Sequence, residues 1–79
     1  MAGYSIRVAE TIRGADANLL GVQLGLMCLE CDTSIAEIAG ILGVSRQTVY
    51  GWFSGKTHPH PHHQLEIKKW LQVDRHNPA

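Results

Sequence analysis

The sequence predicts an all-α protein, a compact bundle of four to five helices forming one small domain over residues 1–79. Three observations carry this. Apolar residues between Leu19 and Val73 recur at the three- and four-residue spacing of helices. Ser34 and Ser45 stand where helices begin, and Gly43 and Gly55 where they stop. The chain has 79 residues, a length that suits one small core burying roughly 60% of the surface the unfolded chain exposes.

Residues 1–15 support two readings. Tyr4, Ile6 and Val8 alternate with Ser5 and Arg7, which fits a short strand, whereas Val8, Ile12 and Ala15 are spaced for a short helix ending at Gly14. The segment is an N-terminal arm, either docked on the bundle, paired with a second subunit or reaching toward DNA. Asp16 then serves as N-cap of a helix reaching about Cys31. At 100° per residue this helix carries two apolar stripes. One is Leu20, Leu24, Met27, Cys28 and Cys31; the other is Leu19, Val22, Leu26 and Leu29. Gln23 and Glu30 separate them on one side, Gly21 and Gly25 on the other. One stripe calls for a partner, either the N-terminal segment or another subunit. The glycines cost about 1 kcal/mol each in helix propensity, so a neighbouring backbone is expected close to them.

The next helix starts at Ser34, which forms a capping box with Glu37. Ile35, Ile38, Ala39 and Leu42 share its inner face, and Gly43 supplies the left-handed stop. Ser45 caps a further helix, Arg46 to about Ser54, with Val49, Trp52 and Phe53 inward. Arg46, Gln47, Tyr50, Gly51 and Ser54 fall within an outer arc of about 140° that is polar and free of carboxylates. Small Ala39 permits a close crossing, and Val44, Val49 and Trp52 lock the second helix on the first. Residues 34–54 are thus a helix-turn-helix, whose second helix can lie in a major groove. After a loop at His58–His63, where Pro59 and Pro61 forbid regular helix, a last helix runs from about His62 to Gln72. Leu65, Trp70 and Leu71, with Ile67 or Val73, are its buried side. Residues 74–79 are a frayed tail.

The stretch Ile35–Ser54 resembles the helix-turn-helix of lambda-repressor/Cro-like (XRE-type) regulators. Trp52-Phe53-Ser54-Gly55-Lys56-Thr57-His58-Pro59 is similar to the W-x-x-G-K-x-x-P segment that follows the recognition helix in that family. The resemblance covers roughly residues 19–73 and implies sequence-specific binding of double-stranded DNA, often as a homodimer. It implies base contacts by Arg46, Gln47 and Tyr50, and backbone contacts by Ser34, Ser45, Thr48, Ser54 and Lys56. Arg46 suits guanine and Gln47 adenine, each good pair discriminating by roughly 1–3 kcal/mol. One departure is Ile35, where the family commonly has a phosphate-contacting Gln. The segment ILGVSRQTVYGWF also resembles the DNA-binding tails of serine recombinases and some transposases.

The net charge is zero, with seven basic and seven acidic residues, but the distribution is uneven. Between Glu37 and Glu66 there is no carboxylate, while Arg46, Lys56 and four histidines lie there. Cys28 and Cys31 have the spacing of a zinc or redox pair, yet sit on an apolar helical stripe rather than in a knuckle loop, which favours packing. The histidines read as a solvated loop, a phosphate-facing loop that gains charge as pH falls, or metal ligands. No metal, cofactor or small-molecule substrate is assigned. No catalytic constellation is visible, and the longest apolar run is shorter than the roughly 20 residues of a membrane span. The expectation is a bacterial or bacteriophage regulator acting in the cytoplasm, a repressor by analogy. The alternatives are a protein-interaction module, such as a phage protein inhibiting a host factor, and a recombination or packaging accessory.

Overall fold

The computed structural model describes residues 4–76, with side chains through residue 72. Five helices follow one another: α1 (Ile6–Gly14), α2 (Leu20–Cys31), α3 (Ile35–Leu42), α4 (Arg46–Phe53) and α5 (Pro61–His76). No strand occurs among the described residues. Three of the helices start with the same device. Ser5, Ser34 and Ser45 are extended N-caps whose hydroxyls accept from the amides of Val8, Glu37 and Thr48, each at 3.1 Å. A serine oxygen there satisfies a backbone donor that has no partner within the helix.

The N-terminal segment is helical, which settles the choice between strand and helix. Its first turn is fixed by Ser5, and Ile12 is fully buried. The helix expected from Asp16 begins four residues later. The Asp16 carboxylate accepts from the Asn18 amide at 2.9 Å, and the Leu19 amide donates to the Asp16 carbonyl at 3.1 Å. Asp16 therefore closes a local turn instead of capping a helix. Leu19 occupies the N-cap of α2 without a side-chain bond. Asp32 ends α2 in the left-handed region (φ 58°), which an aspartate tolerates better than most residues.

α2 is the centre of the bundle, packing on α1, α4 and α5, while α3 packs on α4. Its glycine side is approached closely by α4, as the two glycines led one to expect. A Cβ added at Gly21 would stand 2.7 Å from both Cβ and the carbonyl oxygen of Trp52, and one at Gly25 2.9 Å from the Phe53 ring. The stripe Leu19, Val22, Leu26 and Leu29 is partly occupied within the chain. Leu29 faces α1 across a cleft, and Leu19 and Val22 approach Gly55 in the turn after α4. Cys31, expected on an apolar stripe, is exposed, whereas Cys28 is fully buried and its thiol is pushed up to about 12, chiefly by burial.

The last helix also departs from expectation. It begins at Pro61 and not His62, because a proline's missing amide costs nothing at the first helical position. It continues to His76 where a frayed tail was expected from residue 74; residues 77–79 lie outside the described residues. Ile67 and Leu71 are buried and Trp70 half-buried, but Leu65 is 67% exposed. Leu65 sits two positions, about 200°, away from Ile67 on the helix. The core-facing position of that first turn is taken by His63, whose ring lies 5.7 Å from Trp52.

Candidate nucleic-acid interface

α4 carries the candidate interface, and three neighbours fix its position. Val49 and Phe53 are fully buried and Trp52 nearly so. Against them lie the two glycines of α2 on one side, and Ile38 and Ala39 of α3 on the other. The turn between α3 and α4 is held by Gly43 (φ 70°), with the amides of Gly43 and Val44 both donating to the Ala39 carbonyl. This Schellman-like closure leaves one residue, Val44, between the glycine and the serine cap, so the angle between the two helices has little freedom.

The outward side of α4 starts at its cap. Ser45, Arg46, Gln47 and Thr48 are all exposed. The Ser45 and Thr48 hydroxyls lie 2.9 Å apart, so the N-terminus of α4 presents a paired hydroxyl edge beside Arg46 and Gln47. Tyr50, one turn on, is half-buried. Ser54 is half-buried too, its hydroxyl donating to the Gly51 carbonyl at 3.2 Å. That carbonyl also receives the amides of Lys56 and Thr57, at 3.0 and 3.2 Å. Three donors on one oxygen fold the chain back sharply after α4 and leave the Lys56 side chain exposed at a fixed place. Gly51 makes room for the fold-back, since a Cβ there would meet the Thr57 hydroxyl at 2.6 Å.

Ser34, Arg46, Gln47 and Tyr50 come together along one open groove of about 430 Å³ between the start of α3 and the outer side of α4. Ser45, Thr48, Ser54 and Lys56 lie apart from that groove, at the cap and first turn of α4 and in the turn beyond it. Tyr4, Ile35 and Ala36 complete the groove wall. Sequence reasoning assigned none of these three to the site. Ile35 stood out only as a departure from a polar position, Ala36 gave no signal, and Tyr4 lay in a segment of ambiguous periodicity. The Tyr4 hydroxyl donates to the Thr33 carbonyl at 2.7 Å, tying the segment before α1 to the start of α3. Burial, with the nearby Cys28, Glu37 and Asp32 charges, raises the Tyr4 phenol well above its ordinary range, so it stays neutral.

The histidine segment forms a ladder at the start of α5. His60 Nδ1 accepts from the His62 amide at 3.3 Å and stands 3.0 Å from His62 Nδ1, and the His62 and His63 ring centroids are 4.1 Å apart. Desolvation and the charges of His62 and His60 hold the His63 imidazole below its ordinary value. Among the described residues no group of three or more His, Cys, Asp or Glu side chains could hold a metal ion. Also among them, no helix is long and apolar enough to cross a membrane.

A family model described as helix-turn-helix matches residues 24–63, half of the chain, from the middle of α2 to the first turn of α5. No curated protein and no solved structure matches.

Proposed function

The chain belongs to the XRE-type, lambda-repressor-like helix-turn-helix family, a DNA-binding family, and we propose that it is a sequence-specific repressor that lays α4 in the major groove. The observation that carries this reading is the first turn of α4, where Arg46 and Gln47 stand exposed on a helix whose opposite side is fully buried. A rigidly seated helix can hold a bidentate donor at a base edge. Arg46 reads guanine, Gln47 reads adenine, and Tyr50 contacts the neighbouring base. Ser34, Ser45, Thr48, Ser54 and Lys56 set the register through phosphates. Ser34 takes the role of the polar residue that Ile35 does not supply. The absence of carboxylates between Glu37 and Glu66 removes repulsion from this side, so the zero net charge is no obstacle.

The protein acts as a homodimer on an inverted repeat, in the cytoplasm of a bacterial host. Part of the spare apolar stripe of α2 is taken up within the chain, Val22 being fully buried, so the dimer rests chiefly on the habit of the family. Selection of bound sequences from random duplex DNA tests function and symmetry together. Two half-sites about 10 bp apart are expected, with affinity falling by a log-log slope near −0.9 per phosphate contact as salt rises. No retardation of any duplex at low salt would overturn the proposal in favour of a protein-interaction module.

A further inference from the structure

We infer that His60 and His62, at the start of α5, chelate one divalent transition cation that favours right-angled coordination, Ni²⁺ or Cu²⁺. Of the three readings that the histidine segment supports, its geometry favours the third. The two Nδ1 atoms stand 3.0 Å apart on exposed side chains. Metal–imidazole bonds run about 2.0–2.1 Å, so two nitrogens at that spacing subtend about 90° at a shared ion. That is the angle between neighbouring ligands in a square-planar or tetragonal site, which suits Cu²⁺ and Ni²⁺. A tetrahedral Zn²⁺ site would hold the same two nitrogens about 3.4 Å apart.

The pair is held by its surroundings. Pro61, between the two ligands, has its φ fixed at about −65°. The His60 carbonyl accepts from the amides of His63 and Gln64 at 2.9 and 3.2 Å. The Gln64 side-chain amide donates to the carbonyl of buried Pro59 at 2.9 Å. Chelation therefore orders the two rings and little backbone, and such pre-organisation favours affinity. The proton positions also suit a cation. His60 Nδ1 accepts from the His62 amide at 3.3 Å, so it carries a lone pair, and the proton between the two rings belongs to His62. Moving that proton to the other nitrogen of His62 frees a second lone pair. A phosphate would meet the His60 lone pair and be repelled by it. No group of three or more His, Cys, Asp or Glu side chains converges among the described residues, so the remaining coordination positions go to water. The positive end of α5 opposes a cation, so one histidine alone should hold the ion poorly.

The test titrates nickel chloride into the full chain by calorimetry. Ni²⁺ is the probe because Cu²⁺ also oxidises thiols, and Cys31 is exposed. One ion per chain is expected, with paramagnetic broadening of the ring resonances centred on His60 and His62. His60→Asn keeps a side chain able to cap α5, and His62→Gln keeps a good helix former. Each, checked for an intact unfolding transition, should weaken Ni²⁺ binding by about tenfold or more, a scale that even outer-shell partners of a metal reach. His58→Gln and His63→Gln should leave it unchanged. Saturating Ni²⁺ should also raise the urea midpoint of the parent, because the ion binds the folded pair better than the unfolded segment. Equal weakening in His58→Gln or His63→Gln would overturn the inference, as would unchanged binding in His60→Asn and His62→Gln. An unchanged urea midpoint would do the same, since the unfolded segment would then chelate as well as the folded pair. The site does not depend on DNA binding, and these outcomes leave that reading where it stands.

Discussion

α2 and α3 both pack on α4, but in opposite ways. α2 meets it through glycines with backbone nearly touching backbone and side chain, so there is no slack. α3 meets it through buried Ile38 and Ala39, with Ile35 and Leu42 half-buried at either end and Gly40 and Ile41 facing outward. The first contact sets where the reading helix stands. The second sets what lies beside it, and leaves a groove open. Position and recognition are therefore carried by different partners of one helix, and substitutions in them should separate.

The sharpest separation comes from one substitution made at two glycines. Gly21→Ala should destabilise by about 1–3 kcal/mol, since its Cβ meets the Trp52 backbone and neither helix can yield cheaply. Gly40→Ala should stabilise by about 0.5–1 kcal/mol, because nothing lies within 4 Å of the added carbon and alanine is the better helix former. Urea midpoints measure both, and equal signs would show that the glycine contact is not what seats α4. Next in size are the caps. Ser45→Ala and Ser34→Ala should each cost about 1 kcal/mol of stability. Each should also lose a phosphate contact, and Ser45→Ala loosens in addition the paired hydroxyl edge with Thr48, so its drop in DNA affinity should be the larger.

The smallest effect is in the histidine ladder. The folded His63 titrates below its unfolded value of 6.5. As pH falls through 6.5 toward the folded value, the unfolded chain binds more protons, so stability is lost on acidification and is full above that window. The urea midpoint of His63→Gln should therefore fall less between pH 7.5 and 5.5 than that of the parent. An identical fall would place the sensitivity elsewhere.

The residues show why the fold was largely legible in the sequence and the groove was not. Ser34, Gly43, Ser45 and Gly55 act locally, through caps and left-handed turns, and local devices can be read from neighbours in the chain. Val49, Trp52 and Phe53 follow helical periodicity, which is also local. Asp16 misled because an aspartate ahead of an apolar run can cap a helix or close its own turn, and only the backbone decides. Leu65 misled because apolar character was weighed above angle, and the half-buried side of that turn went to His63, whose partner Trp52 lies 11 residues back in the chain. The groove joins Tyr4 to Ile35 and Tyr50 across most of the domain. No spacing rule connects residues so far apart, so a site built across helices is visible only once they are packed.

The central claim is that the outer side of α4 reads DNA while its inner side only seats it. Sequence preference measured on a selected site for Arg46→Ala and Gln47→Ala, alongside their urea midpoints, tests it most directly. Both variants should keep the parent's stability to within about 0.5 kcal/mol. Each should lose about 1–3 kcal/mol of discrimination at one base position. Unchanged base preference in both variants, with the fold intact, would contradict the account.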